Sequence, residues 1–298
     1  MDKVDFLVIF PTYAKLEVVR ETLPSVIAEV ERYGNARLIV HDSTEPHHGQ
    51  EGKWQYLREL EMEKDFFLLL STNMSMAHAR NMCLTLGQEM YAPEYICMIE
   101  DDHGFHAGLL ESLTQAMRKY YGKVSPNGLR FGMFSGCTLH THAHLTELES
   151  NYSYPTLESD QFSIGGANSC FRCAPANHWY SVLKGYDTDE YLISNYQTAN
   201  LRWRNYHKGF TVMYVRDGDL VFEIDTTGRG ETASKEQFGL WDRDFAKSDK
   251  RSMHLGKSPQ QMETAKQSRQ KLQVASQSRK ESILGSRKLF RYLSRILS

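Results

Sequence analysis

The stretch Phe6-Leu7-Val8-Ile9-Phe10-Pro11 decides the fold of this chain. Five consecutive apolar residues, most of them strand formers, followed by a proline are typical of a strand buried on both faces. Apolar residues then recur at helical spacing from Leu16 to Val30, and Gly34 stands where a left-handed C-cap residue ends a helix. A buried strand followed at once by a helix favours a βαβ unit and therefore a parallel sheet.

The alternation of strand and helix patterns continues through the first 121 residues. It predicts strands at residues 38–40, 66–70 and 95–99 and helices at residues 54–63, 76–90 and 109–121. Beyond residue 129 the alternation weakens, and the pattern predicts strands at 131–139, 162–172, 211–215 and 220–224 and a helix at 195–207. These elements predict an α/β, Rossmann-like fold with a mainly parallel central sheet flanked by helices.

Length, composition and charge indicate one folded domain followed by a different segment. The chain has 298 residues, of which 41% are hydrophobic and 24% charged, and its formal net charge is −2. These values exclude a wholly disordered or collagen-like chain. The small net charge hides two opposite parts, because residues 243–298 carry 14 basic and 4 acidic side chains and residues 1–242 therefore carry −12. We predict a domain of residues 1–242 and a basic, largely helical C-terminal extension of residues 243–298.

The cysteines and the apolar runs indicate the compartment. Five cysteines form an odd set without the spacing of a disulfide framework, which favours a reducing compartment. The apolar run after Asp5 is too short for a signal peptide, and no stretch approaches the 18 apolar residues of a membrane span. We therefore expect a cytoplasmic protein that reaches a membrane only from its cytoplasmic surface.

An acidic triplet, Glu100-Asp101-Asp102, follows the predicted strand at residues 95–99. In extended backbone, side chains i and i+2 point to the same side, so Glu100 and Asp102 are expected to converge. Such carboxylates bind Mg²⁺ or Mn²⁺, whose coordination shell substrate phosphates then complete. Three adjacent acids also fit a solvated turn, but ligands of parallel sheets bind at the carboxyl ends of the strands, which favours a metal site.

Four segments in order resemble glycosyltransferase family 2, the inverting nucleotide-sugar enzymes of the GT-A fold. Residues 8–13 are similar to its opening strand and P-T-Y-N turn, and residues 38–43 to its I-V-V-D-D-G-S strand. Asn73 with Ala79-Arg80-Asn81 resembles N-x-G-x-x-x-A-R-N, and the acidic triplet stands at the D-x-D motif. The resemblance implies a GT-A-like sheet and transfer of a hexosyl group from a nucleotide-sugar, with a UDP-sugar as the first expectation.

The resemblance also implies roles for particular residues. Thr12, Tyr13 and Asp42 would hold the nucleobase, and Arg80 or Asn81 would position it. Glu100 would reach the ribose, and Asp102 would bind the Mn²⁺ or Mg²⁺ ion. The full nucleotide-sugar site implied in this way is Pro11, Thr12, Tyr13, Asp42, Asn73, Arg80, Asn81, Glu100 and Asp101.

The chain departs from the family pattern on the acceptor side. Gln197-Thr198 stand where the family has an acidic pair that supplies its general base. An inverting transfer needs a carboxylate near the acceptor hydroxyl, and Asp187, Asp189 and Glu190 are the nearest candidates. A relocated base among these three is the favoured hypothesis; a retaining mechanism or lost catalysis are the alternatives. Glu100 stands where the family has the first aspartate of D-x-D, and its side chain is one carbon longer. His41 stands where the family has the first acid of its second motif.

Three other histidine and cysteine patterns remain open. GT-A enzymes often use a late histidine for metal or diphosphate, and His254 is the candidate for a further metal ligand, since it is the only histidine after His207. His140, His142 and His144 alternate, which fits a polar strand or loop near the acceptor better than zinc. The C-x-x-C spacing of Cys170 and Cys173 has no second pair and is more typical of a structural role.

The last residues form an amphipathic helical pattern. One face carries the apolar residues Leu289, Phe290, Leu293, Ile296 and Leu297, and arginines and lysines flank it. This pattern is typical of a helix that lies on anionic lipid, and it fits docking onto the first domain or self-association equally well. No nucleic-acid motif accompanies the basic residues, so no nucleic-acid partner is expected.

The sequence as a whole predicts a metal-dependent glycosyltransferase acting on a hydroxyl acceptor. Two other functions remain open at this stage. A nucleotidyltransferase would use a similar sheet and metal, but the glycine-rich phosphate loop expected after the first strand is missing from residues 10–15. A non-catalytic nucleotide-binding or glycan-binding protein of the same fold would explain the missing acidic pair.

Overall fold

The computed structural model describes residues 3–13, 16–42, 52–71, 76–125, 128–136, 162–165, 171–187, 201, 204–205, 207–215 and 221–223. The helices are α1 (Leu16–Tyr33), α2 (Lys53–Glu63), α3 (Met76–Tyr91) and α4 (Leu109–Tyr120). The strands are β1 (Phe6–Thr12), β2 (Ala36–Asp42), β3 (Phe67–Leu70), β4 (Tyr95–Ile99), β5 (His103–Phe105), β6 (Arg130–Gly136), β7 (Phe162–Gly165), β8 (Phe171–Pro175), β9 (Phe210–Val215) and β10 (Val221–Glu223). A short π-helical turn, His178–Leu183, follows β8.

The central sheet confirms the predicted fold class. Within the described residues its strand order is β3-β2-β1-β4-β8-β6-β9-β7. β1, β2, β3 and β4 pair in parallel, as do β6 and β9, whereas β8 runs antiparallel to both β4 and β6. The parallel strands end at one edge, where Tyr13, Asp42 and Glu100 follow or complete them. The fold is therefore α/β, with a mainly parallel sheet flanked by helices.

Both faces of the sheet are covered by apolar side chains. Phe6, Val8 and Phe10 of β1 face α1 and α4, and Leu7 and Ile9 face α3, all of them fully buried. This burial on both faces is the reason for the uninterrupted apolar run that opens the chain. Within the described residues, no helix combines the length and apolar character needed to cross a membrane.

The inner face of α1 carries polar residues that hold the segment after β4. Ser25 Oγ accepts a hydrogen bond of 3.1 Å from the backbone N–H of Phe105. Glu29, which is 2% exposed, accepts bonds from the backbone N–H groups of Gly108 and Leu110, at 3.2 and 2.9 Å. A carboxylate at this place satisfies the first N–H groups of α4. The segment between β4 and α4 is thus held in place by α1.

Most predicted elements agree with the structure, and one differs. The strand predicted at residues 95–99 is β4 with the same bounds, and Gly34 ends α1 with φ 83°. The single strand predicted at residues 162–172 is wrong, because β7 and β8 are separate and pair with different neighbours. The helix predicted at 195–207 lies mostly outside the described residues. Residues 243–298 also lie outside them, so the boundary at 242 stays a prediction.

Candidate active site

The acidic triplet forms a turn, and the expected side-chain alternation does not apply to it. β4 ends at Ile99, residues 101 and 102 lie in a turn, and the backbone N–H of His103 donates to Glu100 O at 3.1 Å. The prediction that Glu100 and Asp102 converge across a strand assumed extended backbone through residue 102, and that assumption is wrong. Each of the three carboxylates instead has its own set of partners.

Glu100 is held by two buried arginines. Arg80 Nη2 of α3 lies 3.2 Å and Arg172 Nη2 of β8 lies 3.1 Å from Glu100 Oε1, and the glutamate side chain is 21% exposed. Burial raises the pKa of Glu100, but the charges of Arg80 and Arg172 outweigh it and bring the pKa below its usual value. Glu100 is therefore ionised at neutral pH and fixed in direction.

Asp101 joins the turn to the first strand and the first helix. Its Oδ2 accepts a bond of 2.7 Å from the backbone N–H of Tyr13, the residue that follows β1. Its carbonyl accepts a bond of 2.7 Å from the hydroxyl of Thr22 in α1. Tyr13 is half-buried at the sheet edge, so the predicted nucleobase residue and the acidic turn do lie together.

Asp102 is a partly exposed carboxylate of this turn. Its side chain is 26% exposed, and Oδ1 lies 2.5 Å from Nδ1 of His103, whose side chain is 3% exposed. Among the described residues no group of three or more histidine, cysteine or acidic side chains could hold a metal by itself. One accessible carboxylate still fits Mg²⁺ or Mn²⁺, because these ions take one or two protein carboxylates and complete their shell with substrate phosphates.

The other predicted nucleobase residues are fully buried in a polar network. Pro11 lies inside β1. Thr12 and Asp42 have no exposed surface, and neither does Lys53 at the start of α2. Lys53 Nζ lies 2.5 Å from Asp42 Oδ2 and donates to Thr12 Oγ1 at 3.1 Å, and Trp54 Nε1 donates to Asp42 Oδ1 at 3.1 Å. The side chains of Thr12 and Asp42 are therefore bonded inside the protein and are not exposed at its surface.

His41 is a neutral imidazole beside this network. It has no exposed surface, and its Nε2 lies 3.0 Å from Oγ of Ser71, the residue after β3. Burial lowers the pKa of His41 to about 4, although the charge of Asp42 opposes the change. A neutral group therefore stands at neutral pH where the family pattern has an acid.

Asn81 connects α3 to the segment that carries the first candidate base. Its Nδ2 donates to the carbonyl of Tyr186 at 2.8 Å, and its Oδ1 accepts from the Tyr186 N–H at 2.7 Å. Gly185 precedes this pair with φ 69° and leaves no room for a Cβ, which would lie 2.6 Å from Asn81 Oδ1. The described contacts of Asn81 are therefore structural, and they place Asp187 directly after a fixed residue.

Tyr186 links this segment to Glu100. Its ring lies 5.1 Å from the guanidinium of Arg80, and its hydroxyl accepts a bond of 3.3 Å from Arg172. Since both arginines also contact Glu100, one connected network joins the acidic turn to the residue before Asp187. Asp187 itself is half-buried. The structure thus brings the predicted donor side and the first predicted base into one region.

The remaining predicted residues lie outside the described residues. These are Asn73, Asp189, Glu190 and His254, together with His140, His142, His144 and Cys170. Their roles stay predictions. Cys83, Cys97 and Cys173 are described, and all three are buried free thiols.

Several residues of the site were not predicted from the sequence to contact it. Lys53, Arg172 and His103 each bond a predicted site residue, but a lysine at the start of a helix and an arginine within a strand pattern give no local signal of burial. Thr22 was different, because it lies on the same helical face as the apolar residues Val19 and Val26. A hydroxyl at such an inward position could have indicated a buried polar contact.

Comparison with known proteins supports the fold assignment. No family model and no curated protein matches this chain. Among solved structures, a mannosyltransferase from Pyrobaculum calidifontis, PcManGT in complex with GDP-Man and Mn²⁺, matches with a TM-score of 0.53 at 16% identity over 86% of this chain and 66% of its own. TarS 1–349 from S. aureus in complex with UDP-GlcNAc matches with a TM-score of 0.52 at 11% identity over 78% of this chain and 61% of its own.

These similarities are structural and remote in sequence. The chain spans about 61% of TarS 1–349 and 66% of PcManGT. At identities of 11% and 16% the likeness concerns the arrangement of helices and strands. The chain therefore has a GT-A-like fold, the fold that its motifs predicted.

Proposed function

We propose that this protein is a nucleotide-sugar-dependent glycosyltransferase of the family 2 type that transfers a hexosyl group to a hydroxyl acceptor. The observation that carries the proposal is the acidic turn after β4, which lies at the carboxyl ends of the parallel strands. The turn bonds Tyr13 through Asp101 and offers the partly exposed carboxylate of Asp102. Ligands of open α/β sheets bind at this edge. The mannosyltransferase structure of similar fold contains GDP-Man and Mn²⁺, and the TarS structure contains UDP-GlcNAc.

Within this proposal Asp102 holds Mn²⁺ or Mg²⁺ together with the donor diphosphate, and His254 is a further candidate ligand. The metal would stabilise the negative charge that develops on the leaving diphosphate. Glu100 is kept ionised and oriented by Arg80 and Arg172, which suits a carboxylate that accepts bonds from ribose hydroxyls. Tyr13 lies at the same edge and provides an aromatic face for the base.

An inverting transfer requires a base on the acceptor side, and we propose that it lies among Asp187, Asp189 and Glu190. The network of Asn81, Tyr186 and the arginines supports this position, because it ties the segment before Asp187 to Glu100. Asn substitution of Asp187 and Asp189 and Gln substitution of Glu190 test the assignment one by one. Loss of transfer with unchanged nucleotide affinity in one variant supports it, and normal turnover in all three contradicts it.

The basic tail gives the proposal a second, separable part. Residues 243–298 have a formal charge of +10 and end in an amphipathic pattern, which supports peripheral binding at the cytoplasmic face of an anionic membrane. Sedimentation with anionic vesicles, with and without residues 282–298, tests this part. Equal sedimentation of both forms contradicts membrane binding, and a change in oligomeric state on truncation identifies self-association instead.

The transferase proposal is tested by turnover. The full chain is incubated with UDP-GlcNAc or GDP-mannose and Mn²⁺, and the released nucleoside diphosphate is measured with and without candidate glycan and lipid acceptors. We expect metal-dependent release that is lost in Asp102→Asn and retained in Glu63→Gln, a matched loss of one exposed charge on α2. Nucleotide binding without release from any donor identifies a non-catalytic binding protein. Release of a sugar 1-phosphate in place of the nucleoside diphosphate, the product of nucleotidyl transfer from the same donor, identifies a nucleotidyltransferase.

A further inference from the structure

His103 is a buried histidine that directly follows the acidic turn and that no predicted role includes. Its side chain is 3% exposed, and its Nδ1 lies 2.5 Å from Oδ1 of Asp102, a carboxylate that is 26% exposed. The contact therefore joins an inner, fixed ring to an outer, accessible carboxylate. An ionised carboxylate only accepts hydrogen bonds, so Nδ1 must carry the proton of this bond.

The backbone of His103 is held from three directions. Its N–H closes the turn by donating to Glu100 O at 3.1 Å. Two residues further, the N–H of Phe105 donates to Ser25 Oγ of α1 at 3.1 Å. β5 also pairs with β10 in antiparallel register, with His103 opposite Glu223. The backbone that carries the imidazole is consequently held both by the turn and by the pairing of β5 with β10.

The packing around Gly104 restricts this backbone further. A Cβ at Gly104 would clash with the ring of Phe222 and would lie 2.5 Å from Ser25 Oγ. β5 is therefore packed tightly between α1 and β10, and only a glycine fits at this position. The backbone position from which the His103 side chain projects is therefore fixed by packing between α1 and β10.

We propose that His103 is a positioning residue for the metal site, because its Nδ1–H bond fixes the rotation of the Asp102 carboxylate and leaves Oδ2 to bind the cation. The inference rests on the proposed function, which makes Asp102 the metal ligand. A fixed carboxylate binds a cation more tightly because less side-chain freedom is lost on binding. Partners that orient a ligand in this way are typically worth about 10-fold to 100-fold in metal affinity.

Two substitutions separate this role from simple filling of space. Asn places its side-chain N–H₂ where His has Nδ1, whereas Gln places its N–H₂ near the position of Nε2. His103→Asn therefore keeps the bond to Asp102, and His103→Gln loses it, although both side chains are neutral and polar. His103→Phe removes both ring nitrogens at about the same ring size and replaces His103→Gln if that variant fails to fold.

The experiment measures Mn²⁺ binding to the full chain in saturating UDP or GDP, with free Mn²⁺ followed by electron paramagnetic resonance. Thermal unfolding in EDTA checks that each variant is folded without metal. We expect His103→Asn to bind Mn²⁺ within about threefold of the wild type and His103→Gln to bind about 10-fold to 100-fold more weakly. Equal affinities in the wild type, His103→Gln and His103→Phe overturn the positioning role.

The outcomes distinguish this inference from the proposal beneath it. If the wild type binds Mn²⁺ and Asp102→Asn does not, the proposed metal site stands and the His103 variants alone decide the inference. If the wild type binds no Mn²⁺ with either nucleotide, the proposed metal site and this inference both fail. Equal weakening in His103→Asn and His103→Gln also overturns the inference, because the Nδ1 position would then not matter.

Discussion

The buried ion pair between Lys53 and Asp42 supports a prediction about stability. Both side chains have no exposed surface, and Lys53 Nζ lies 2.5 Å from Asp42 Oδ2. Lys53→Met removes the cation and keeps most of the chain length, so the Asp42 carboxylate is left buried without its main counter-charge. The hydrogen bond to Thr12, 3.1 Å long, is lost at the same time.

The expected cost follows from burial on both sides of the pair. Removing one partner of a buried pair typically costs about 3–5 kcal/mol, whereas an exposed pair is worth about 0–1 kcal/mol. For a domain of this size, about 4 kcal/mol lowers the midpoint of thermal unfolding by roughly 10 °C. Asp42→Asn in the same chain removes the stranded charge and keeps Oδ1 as the acceptor for Trp54 Nε1. The double variant should therefore recover at least about 2 kcal/mol.

The assay is urea unfolding of the wild type, both single variants and the double variant. Lys64→Met is the matched control, because Lys64 pairs with Glu31 at 3.2 Å and both side chains are about 40% exposed. We expect a change below about 1 kcal/mol for this control. A cost below about 1 kcal/mol for Lys53→Met would contradict a stabilising role for the buried pair. A double variant whose loss of stability equals the sum of the losses of the two single variants would contradict it as well.

Two further predictions concern titration and backbone conformation. Burial lowers the pKa of both His41 and His178 to about 4. As the pH falls, these histidines are therefore protonated near pH 6.5 in the unfolded chain but only near pH 4 in the native chain. The free energy of unfolding should therefore fall as the pH drops from about 6.5 to about 4. In urea titrations, His178→Gln should make the change of this free energy with pH shallower by about 1.4 kcal/mol per pH unit. An unchanged slope contradicts the lowered pKa of His178. Gly185→Ala forces a Cβ to 2.6 Å from Asn81 Oδ1 at φ 69°, whereas Gly34→Ala at φ 83° meets nothing within 4 Å. Both should lower stability through backbone strain, and Gly185→Ala should cost at least about 1 kcal/mol more, so equal losses would exclude a role for the Asn81 contact.

The sheet could be predicted because its strands carry local signals. β1 and β4 are apolar runs that the fold buries on both faces, and their bounds lie within two residues of the predicted ones. The strand order could not be predicted in the same way. β8 lies between β4 and β6 and runs antiparallel to both, and this pairing joins residues more than 30 positions apart in the chain.

The sequence predicted where the acidic turn lies, and it predicted the arrangement of the side chains of that turn less well. The acidic turn lies at the carboxyl end of β4 and beside Tyr13, as the motifs indicated. The orientation of the Glu100 and Asp102 carboxylates depends on Arg172 and His103, and the backbone of the turn is held by Thr22. Arg172 and Thr22 come from distant elements, and His103 follows the turn. Local periodicity carries no information about such contacts. The inferred alternation therefore failed at the residue where the strand ended.

The proposed function requires that Asp102 make nucleotide binding depend on a divalent cation. Calorimetric titration of UDP and GDP into the full chain, in Mn²⁺ or in EDTA, tests it with the wild type and Asp102→Asn. We expect Mn²⁺ to strengthen binding of at least one nucleotide to the wild type by tenfold or more, which is about 1.4 kcal/mol, and to have no such effect on Asp102→Asn. Equal affinities in Mn²⁺ and EDTA, or the same Mn²⁺ effect in both proteins, would contradict it.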